Sequence, residues 1–364
     1  MSFHGSYRAE DVEFLLKPIP VAMIENTLEK ERMIQSGQRH YSEMLSPERL
    51  PSEQYRSLFF AAHALNRERM AQDCLTLAHI LLDELGPRPT LVSLARAGTP
   101  VGAILAHTLR RLSGNAIAHY SVSIIRDRGI DANALDTILA RGATPESIAF
   151  IDGWTGKGVI CAELEKAVHA YNARRSTRVP AKLYVLADLA GTAHCAATAE
   201  DYLIPSSILN ATISGLVSRS VLNDAIGRDD YHGCVHFTEF AAHDLSVWFV
   251  DDIVRAIFSS PPGAAVRPRP EPLDKRAQSA RSAEFIAAEM ARHGITDRNL
   301  IKPGIGEATR VLLRRVPERL ILRQPELASV QHLIALAREK HVPVDFRPDL
   351  PLNAVALIRS ASDA

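Results

Sequence analysis

Arg96 stands between an apolar run and a small-residue turn in LVSLARAGTPVG, residues 91–102. Such a run, then a turn, then Pro100 and more apolar residues, predicts a buried strand feeding a tight loop that opens a helix. Backbone N–H groups at a helix start favour an anion, and Arg96 adds a planar, permanently charged fork beside them. Residues 147–160, SIAFIDGWTGKGVI, repeat the plan. Asp152 ends the strand, Gly153, Gly156 and Gly158 permit close backbone approach, Thr155 offers a hydroxyl and Lys157 a charge. This is not a Walker loop, which needs Gly where Ile151 stands and Ser or Thr where Gly158 stands. Two anion loops at strand ends predict a ligand carrying two separate phosphate groups.

The elements that must hold these loops follow from the apolar periodicity. Strands are predicted at 90–95, 116–122, 147–151 and 182–187, alternating with helices near 100–112, 131–141, 157–174 and 192–199. That alternation implies an α/β fold with a mainly parallel sheet, which binds ligands beyond the carboxyl ends of its strands. The first ninety residues read as mostly helical additions, with 58–85 as a long helix stopped by Gly86-Pro87. A Ser/Thr-rich stretch after 203 is expected to be helical. The Pro-rich run 259–282 reads as a linker, since proline supports neither a helix interior nor a central strand. It divides a domain over 1–258 from a smaller α/β domain over 283–364. In that second domain helices are predicted at 281–293, 306–315 and 326–340, and strands near 299–301, 319–323, 342–346 and 354–358.

Hydrophobic residues make up 46% of the 364, enough for a packed core and too many for a disordered chain. The chain is neutral, with 42 basic and 42 acidic residues, yet 275–364 holds 15 Lys/Arg against 10 Asp/Glu, a modest pointer to nucleic acid. No apolar run is long enough to span a membrane, and the N-terminus lacks a secretory pattern. Four scattered cysteines without CxxC spacing fit reduced thiols, so a cytoplasmic protein is expected.

Other candidates compete with ordinary structural roles. Arg126 and Arg128 in SIIRDRGID are either site residues or a solvated charged turn. Trp154 is a stacking candidate or a core residue, and Asp188 a site residue or a helix N-cap. Ser206, Ser207 and Asn210 begin a segment able to cover a substrate, and His40, Tyr41, Ser42 and Glu43 form a polar cluster. His232, Cys234, His236 and His243 match no strong zinc spacing, so no protein metal site is assigned. Cys195 follows His194, but no protease-like signature surrounds any cysteine.

Taken together, the two loops resemble those of type I phosphoribosyltransferases, which bind phosphoribosyl pyrophosphate. The resemblance implies that Arg96, Ala97, Gly98 and Thr99 hold pyrophosphate. It implies that Asp152 holds the ribose hydroxyls, while Gly153, Thr155, Gly156, Lys157 and Gly158 surround the 5′-phosphate. Arg126 and Arg128 fall where that family has a mobile loop closing over the reaction, and Mg²⁺ is implied as the ion bridging substrate oxygens. The family usually shows two adjacent acids; here the second position is Gly153. GSYRAEDVEFLLKPI (5–19), IQSGQRHYSEML (34–45) and IPSSILNATISGLVSR (204–219) further resemble a branch tied to bacterial tellurite-stress gene clusters, also labelled cysteine proteases. The expected function is therefore glycosyl transfer from phosphoribosyl pyrophosphate to an unidentified acceptor, against a non-catalytic nucleotide sensor or RNA-associated regulator and, more remotely, a cysteine protease.

Residues 304–346 resemble, within 281–360, the L7Ae/Pelota-type RNA-binding fold. The resemblance implies RNA contacts at Lys302, Gly304, Gly306, Glu307, Arg310 and Arg314, with Arg315 a further phosphate contact. Gly306 replaces the Asn of kink-turn binders, so a Pelota-like variant is closer.

Overall fold

The computed structural model describes residues 2–259 and 274–359. Its larger sheet has six strands: β1 (Glu13–Leu15), β2 (Thr90–Leu94), β3 (His119–Val122), β4 (Ile148–Thr155), β5 (Leu183–Asp188) and β6 (Cys195–Thr198). They lie in the order β1-β3-β2-β4-β5-β6, with every pairing parallel. After β2 the chain adds β3 on one side, then crosses to add β4 on the other. The carboxyl ends of β2 and β4 therefore open side by side where the winding reverses, the usual crevice of such sheets.

Both faces of the sheet are covered, as parallel sheets require. Alternate residues of β4 divide the work. Ala149 and Ile151 pack in one apolar cluster with α2 (Glu53–Leu85), α3 (Gly98–Ser113) and α6 (Ser246–Ser259). Ile148 and Phe150 pack in the other with α4 (Ala132–Ala140) and α5 (Val159–Arg175). A short helix, α1 (Thr27–Gln35), is capped by the Asn26 side chain. Among the described residues no helix is long and apolar enough to cross a membrane.

The C-terminal sheet runs β7 (Ile301–Pro303), β10 (Ala354–Ile358), β8 (Pro317–Leu322), β9 (Val344–Phe346), with only the β8–β9 pair parallel. The helices α8 (Ile305–Arg314) and α9 (Gln331–Glu339) cover one face, and α7 (Lys275–His293) covers the other. The α8–α9 face continues the cluster built around α2 and α3, so one apolar body joins the two sheets.

Three expectations are corrected. Residues 192–199 contain strand β6 instead of a helix, because its backbone completes the open edge of β5 and pairing overrides alanine's helix preference. The Ser/Thr-rich stretch after 203 makes only single turns at Pro205–Ser207 and Ala211–Ile213. Its hydroxyls bond nearby carbonyls, Ser214 to Asn210 and Ser218 to Arg219, which competes with a helix. Of the linker reading at 259–282, residues 260–273 lie outside the described residues, whereas the part from Lys275 is already α7, capped by Asp274.

Candidate functional site

The loop after β2 is pressed against β4. A Cβ on Gly98 would lie 2.3 Å from the Ile151 carbonyl oxygen, so that glycine serves helix–strand contact. Thr99 turns away from the crevice: its hydroxyl shares a hydrogen bond with Ser121 at 2.8 Å and its N–H donates to Arg96 O. The Thr99 hydroxyl is thus held by Ser121, apart from the loop's backbone. Ala97 precedes the helix with no side-chain cap. Arg96 is buried; it donates to Val217 O and to Glu48 Oε1, both at 2.5 Å. Burial would raise the Glu48 carboxyl, but Arg96 and Arg314 outweigh it and hold it below the usual range.

The strand expected to end at 151 continues to Thr155, and this end of β4 with the loop after it has a different economy. Asp152 accepts the Gly153 N–H at 2.8 Å, and burial pushes its carboxyl up to about 6 against the pull of Arg310. Gly153 is open: the nearest atom to an added Cβ is Ala97 O at 3.8 Å, which is where the two loops meet. Thr155 donates its hydroxyl to Asp188 and receives the Ala190 N–H. Asp188 also accepts N–H groups of Thr192 at 3.2 Å and Ala193 at 3.0 Å, so it closes its own loop. In this structure the Thr155 hydroxyl and the Asp188 carboxylate are both engaged within the protein. Lys157 Nζ donates to the carbonyls of Arg298 at 2.6 Å and Ile301 at 2.7 Å, and burial with Lys302 nearby pushes it down to about 7. Gly156 backs onto Glu307, and Gly158 takes φ +76° to open α5.

Trp154 is clamped by the C-terminal unit. Arg310 lies 4.4 Å above its ring, and a Cβ on Gly306 would stand 2.5 Å from its Cε2. The indole N–H is buried without a hydrogen-bond partner. Gly304, at φ +88°, packs on Leu189, and Asp201 accepts the Ile305 N–H at 3.0 Å. Glu307 bonds Arg310 at 3.1 Å and faces Lys302 at 3.9 Å; burial raises its carboxyl, but Arg310 and Lys302 hold it low. Arg314 bonds the Asn210 side chain, and Arg315 pairs with Glu31. Of the residues expected on RNA, Lys302, Glu307, Arg310 and Arg314 line the larger cavity, and Gly306 packs on Trp154, because α8 sets its start against β4.

Two adjoining cavities result, of about 990 and 220 Å³, with Asp152, Trp154, Asn210 and Tyr41 lining both. The smaller is lined by four arginines, Arg96, Arg219, Arg310 and Arg314, against a single carboxylate, Asp152. Ser206 and Ser207 also line it, the Ser207 hydroxyl buried without a partner. Arg126 lines the larger cavity and donates its backbone N–H to the Tyr41 hydroxyl at 2.8 Å. Arg128 instead reaches Glu43 at 3.4 Å and lines neither cavity. Arg219 and Glu48 were not singled out from sequence. Arg219 is a lone cation in LVSRSVL without a neighbouring acid, the one local signal available.

Cys74, Cys161 and Cys234 are buried thiols, held protonated by desolvation, and none of them bonds a histidine. His194 bonds Glu84 at 2.8 Å and sets its ring edge-on to Tyr184. His232 bonds Ser123, and among the described residues no group of three His, Cys, Asp or Glu is arranged to hold a metal.

Residues 5–254 match the family described as "Tellurite-like stress resistance cysteine protease StiP", and residues 280–360 match the PELOTA RNA binding domain. A curated relative, "Cysteine protease StiP" of Acinetobacter baylyi, is 40% identical over 98% of this chain and 94% of its own length. Two solved structures of a hypoxanthine-guanine phosphoribosyltransferase from Bacillus anthracis, one with HEPES in its active site, overlap 37% of this chain and about four-fifths of theirs. They share 16% and 15% identity at a TM-score of 0.26, too low to carry an argument.

Proposed function

The chain belongs to the tellurite-like stress resistance StiP family, and from that premise we propose that it is a phosphoribosyltransferase acting on phosphoribosyl pyrophosphate. The observation that carries this reading is the small cavity at the ends of β2 and β4, lined by Arg96, Arg219, Arg310, Arg314 and Asp152, with Glu48 bonded to Arg96 and Glu307 to Arg310. Arg219 and Arg314 hydrogen-bond only uncharged oxygens among the described residues, and that surplus of guanidinium favours an anionic ligand. Arg96 uses two of its five N–H donors on Val217 and Glu48, leaving three for pyrophosphate oxygens. Above about pH 6 Asp152 is a carboxylate able to accept hydrogen bonds from vicinal ribose hydroxyls. In the reaction the C1′–O bond to pyrophosphate breaks with its electron pair leaving on oxygen, and the acceptor's nucleophilic atom bonds C1′. Fixed donors aimed at the departing oxygens stabilise that charge without reorganisation.

Mg²⁺ held mainly by substrate oxygens needs one or two protein carboxylates. Asp152 supplies one, and the open space at Gly153 leaves room beside it, so the residues fit such an ion. When bound, it neutralises part of the pyrophosphate charge.

The second reading, a nucleotide sensor without turnover, rests on Gly153 and on the diversion of Thr155 and Lys157. A pyrophosphate-release assay with phosphoribosyl pyrophosphate, Mg²⁺ and an acceptor panel separates the two. Release abolished by Asp152→Asn supports transfer; tight binding with no release across the panel supports the sensor. A protease reading requires a thiolate, and desolvation opposes one at Cys74, Cys161 and Cys234. RNA contact through the Lys302–Arg314 face requires the C-terminal unit to lift from the crevice.

A further inference from the structure

We infer that Arg310 and Arg314 of the C-terminal unit, together with Arg219, form a second anion subsite that holds the ligand's non-pyrophosphate phosphate. The Pelota-like unit is then part of the small-molecule site. This deepens the reading above, because it presumes that the β2 loop takes the pyrophosphate end.

Three observations lead there. First, the β4 loop has surrendered its obvious phosphate donors: Asp188 and Ala190 hold the Thr155 hydroxyl, and two carbonyls of the C-terminal unit hold Lys157. A phosphate beside Asp152 needs donors from elsewhere. Second, the cations nearest that point are incompletely neutralised. The hydrogen-bond partner of Arg314 is the uncharged Asn210 oxygen, and those of Arg219 are carbonyls of Tyr41, Met44 and Ser220. Both side chains are partly buried, and desolvation with Arg96 nearby pulls both below the usual range although Glu48 opposes it. Glu48, the acid acting on both, is bonded to Arg96, so an anion beside Arg219 and Arg314 relieves the excess positive charge. Third, these side chains and Asp152 line one cavity of about 220 Å³ that the β2 loop also enters. Arg310 is fixed over Trp154, with Glu307 as its ion-pair partner, which positions one guanidinium face in advance.

The expected ligand is a compact sugar bearing phosphate at both ends, bridging the two units and fastening them together.

Calorimetry on the full chain with separate probes tests this. Inorganic pyrophosphate reads the β2 subsite and ribose 5-phosphate reads the proposed one. Arg314→Gln is expected to weaken ribose 5-phosphate by about 10- to 100-fold, the range for a hydrogen bond to a charged group, and to change pyrophosphate by less than about threefold. Arg314→Lys keeps the charge and recovers part of the loss. Glu31→Gln loosens the Glu31–Arg315 tether between the units and removes no cation, and is expected to change neither probe by more than about threefold. If Arg314→Gln leaves ribose 5-phosphate unchanged while Arg96 variants lose pyrophosphate, the second subsite is refuted and the transferase reading stands. If Glu31→Gln loses as much as Arg314→Gln, Arg314 acts only by docking and the inference fails. If the wild-type chain binds neither probe, the reading beneath it fails as well.

Discussion

The loops after β2 and β4 are near twins in sequence and opposites in use. Each follows a buried strand, carries glycine and one cation, and opens a helix. After β2 the cation, Arg96, is locked by Glu48 beside the cavity, while Gly98 is consumed by contact with Ile151. After β4 the cation, Lys157, is tied to the other unit's carbonyls, while Gly153 stays open. A strand–glycine–helix pattern therefore locates a binding edge but does not say which of its groups remain available to a ligand.

The sharpest way to break this comparison is at Arg96. Replacing Arg96 with Met alone is expected to destabilise the fold by about 3 kcal/mol, because Glu48 loses its bonded cation and keeps only the Ala211 N–H and the pull of Arg314. Adding Glu48→Gln should restore most of that stability in chemical denaturation without restoring pyrophosphate binding. A single variant as stable as wild type would show that the pair does not hold the loop.

Next come the glycines. Gly98→Ala drives a Cβ into a backbone oxygen and should lower stability by about 1–3 kcal/mol, the range for overpacking. Gly153→Ala meets nothing closer than 3.8 Å and should stay within about 0.5 kcal/mol. Equal losses at both positions would erase the distinction between the loops.

The pH dependence is subtler. Folding raises the Asp152 carboxyl from 3.8 to about 6, so between those values the folded chain holds a proton that the unfolded chain has released. This group therefore makes stability fall as pH rises from about 4 to about 6. Asp152→Asn removes that contribution, and the gap in unfolding free energy between variant and wild type should widen across the window. Asp201, raised likewise, is present in both and cancels. A gap that narrows would contradict the burial of Asp152.

The smallest effect is expected far from the crevice. Arg319 and Asp345 form a partly exposed pair at 2.7 Å, and Arg319→Ala should cost under about 1 kcal/mol and leave both probe affinities unchanged. A large loss of binding there would mean that any change to the C-terminal unit disturbs the site.

Much of the architecture was legible because burial imposes periodicity: the predicted strands at 90–95, 147–151 and 182–187 fall on β2, β4 and β5 within a few residues. The misreading at β6 has a plain cause. Cys195–Thr198 is short and alanine-rich, and only the vacant edge of β5 makes it a strand. Asp152 and Arg96 were found because strand ends are recognisable. Arg219 and Glu48 were not, since neither lies at the end of a periodic element.

What the chain's order of residues determined by itself is the set of elements and the edge where their loops gather, because apolar spacing decides which backbone is buried. What only the tertiary structure decided is ownership. Whether Thr155, Lys157 or Arg314 stays free for a ligand depends on acceptors brought to about 3 Å from distant parts of the chain. Asp188, Arg298 and Asn210 are those acceptors, and the folded packing of one unit on the other put two of these pairs together.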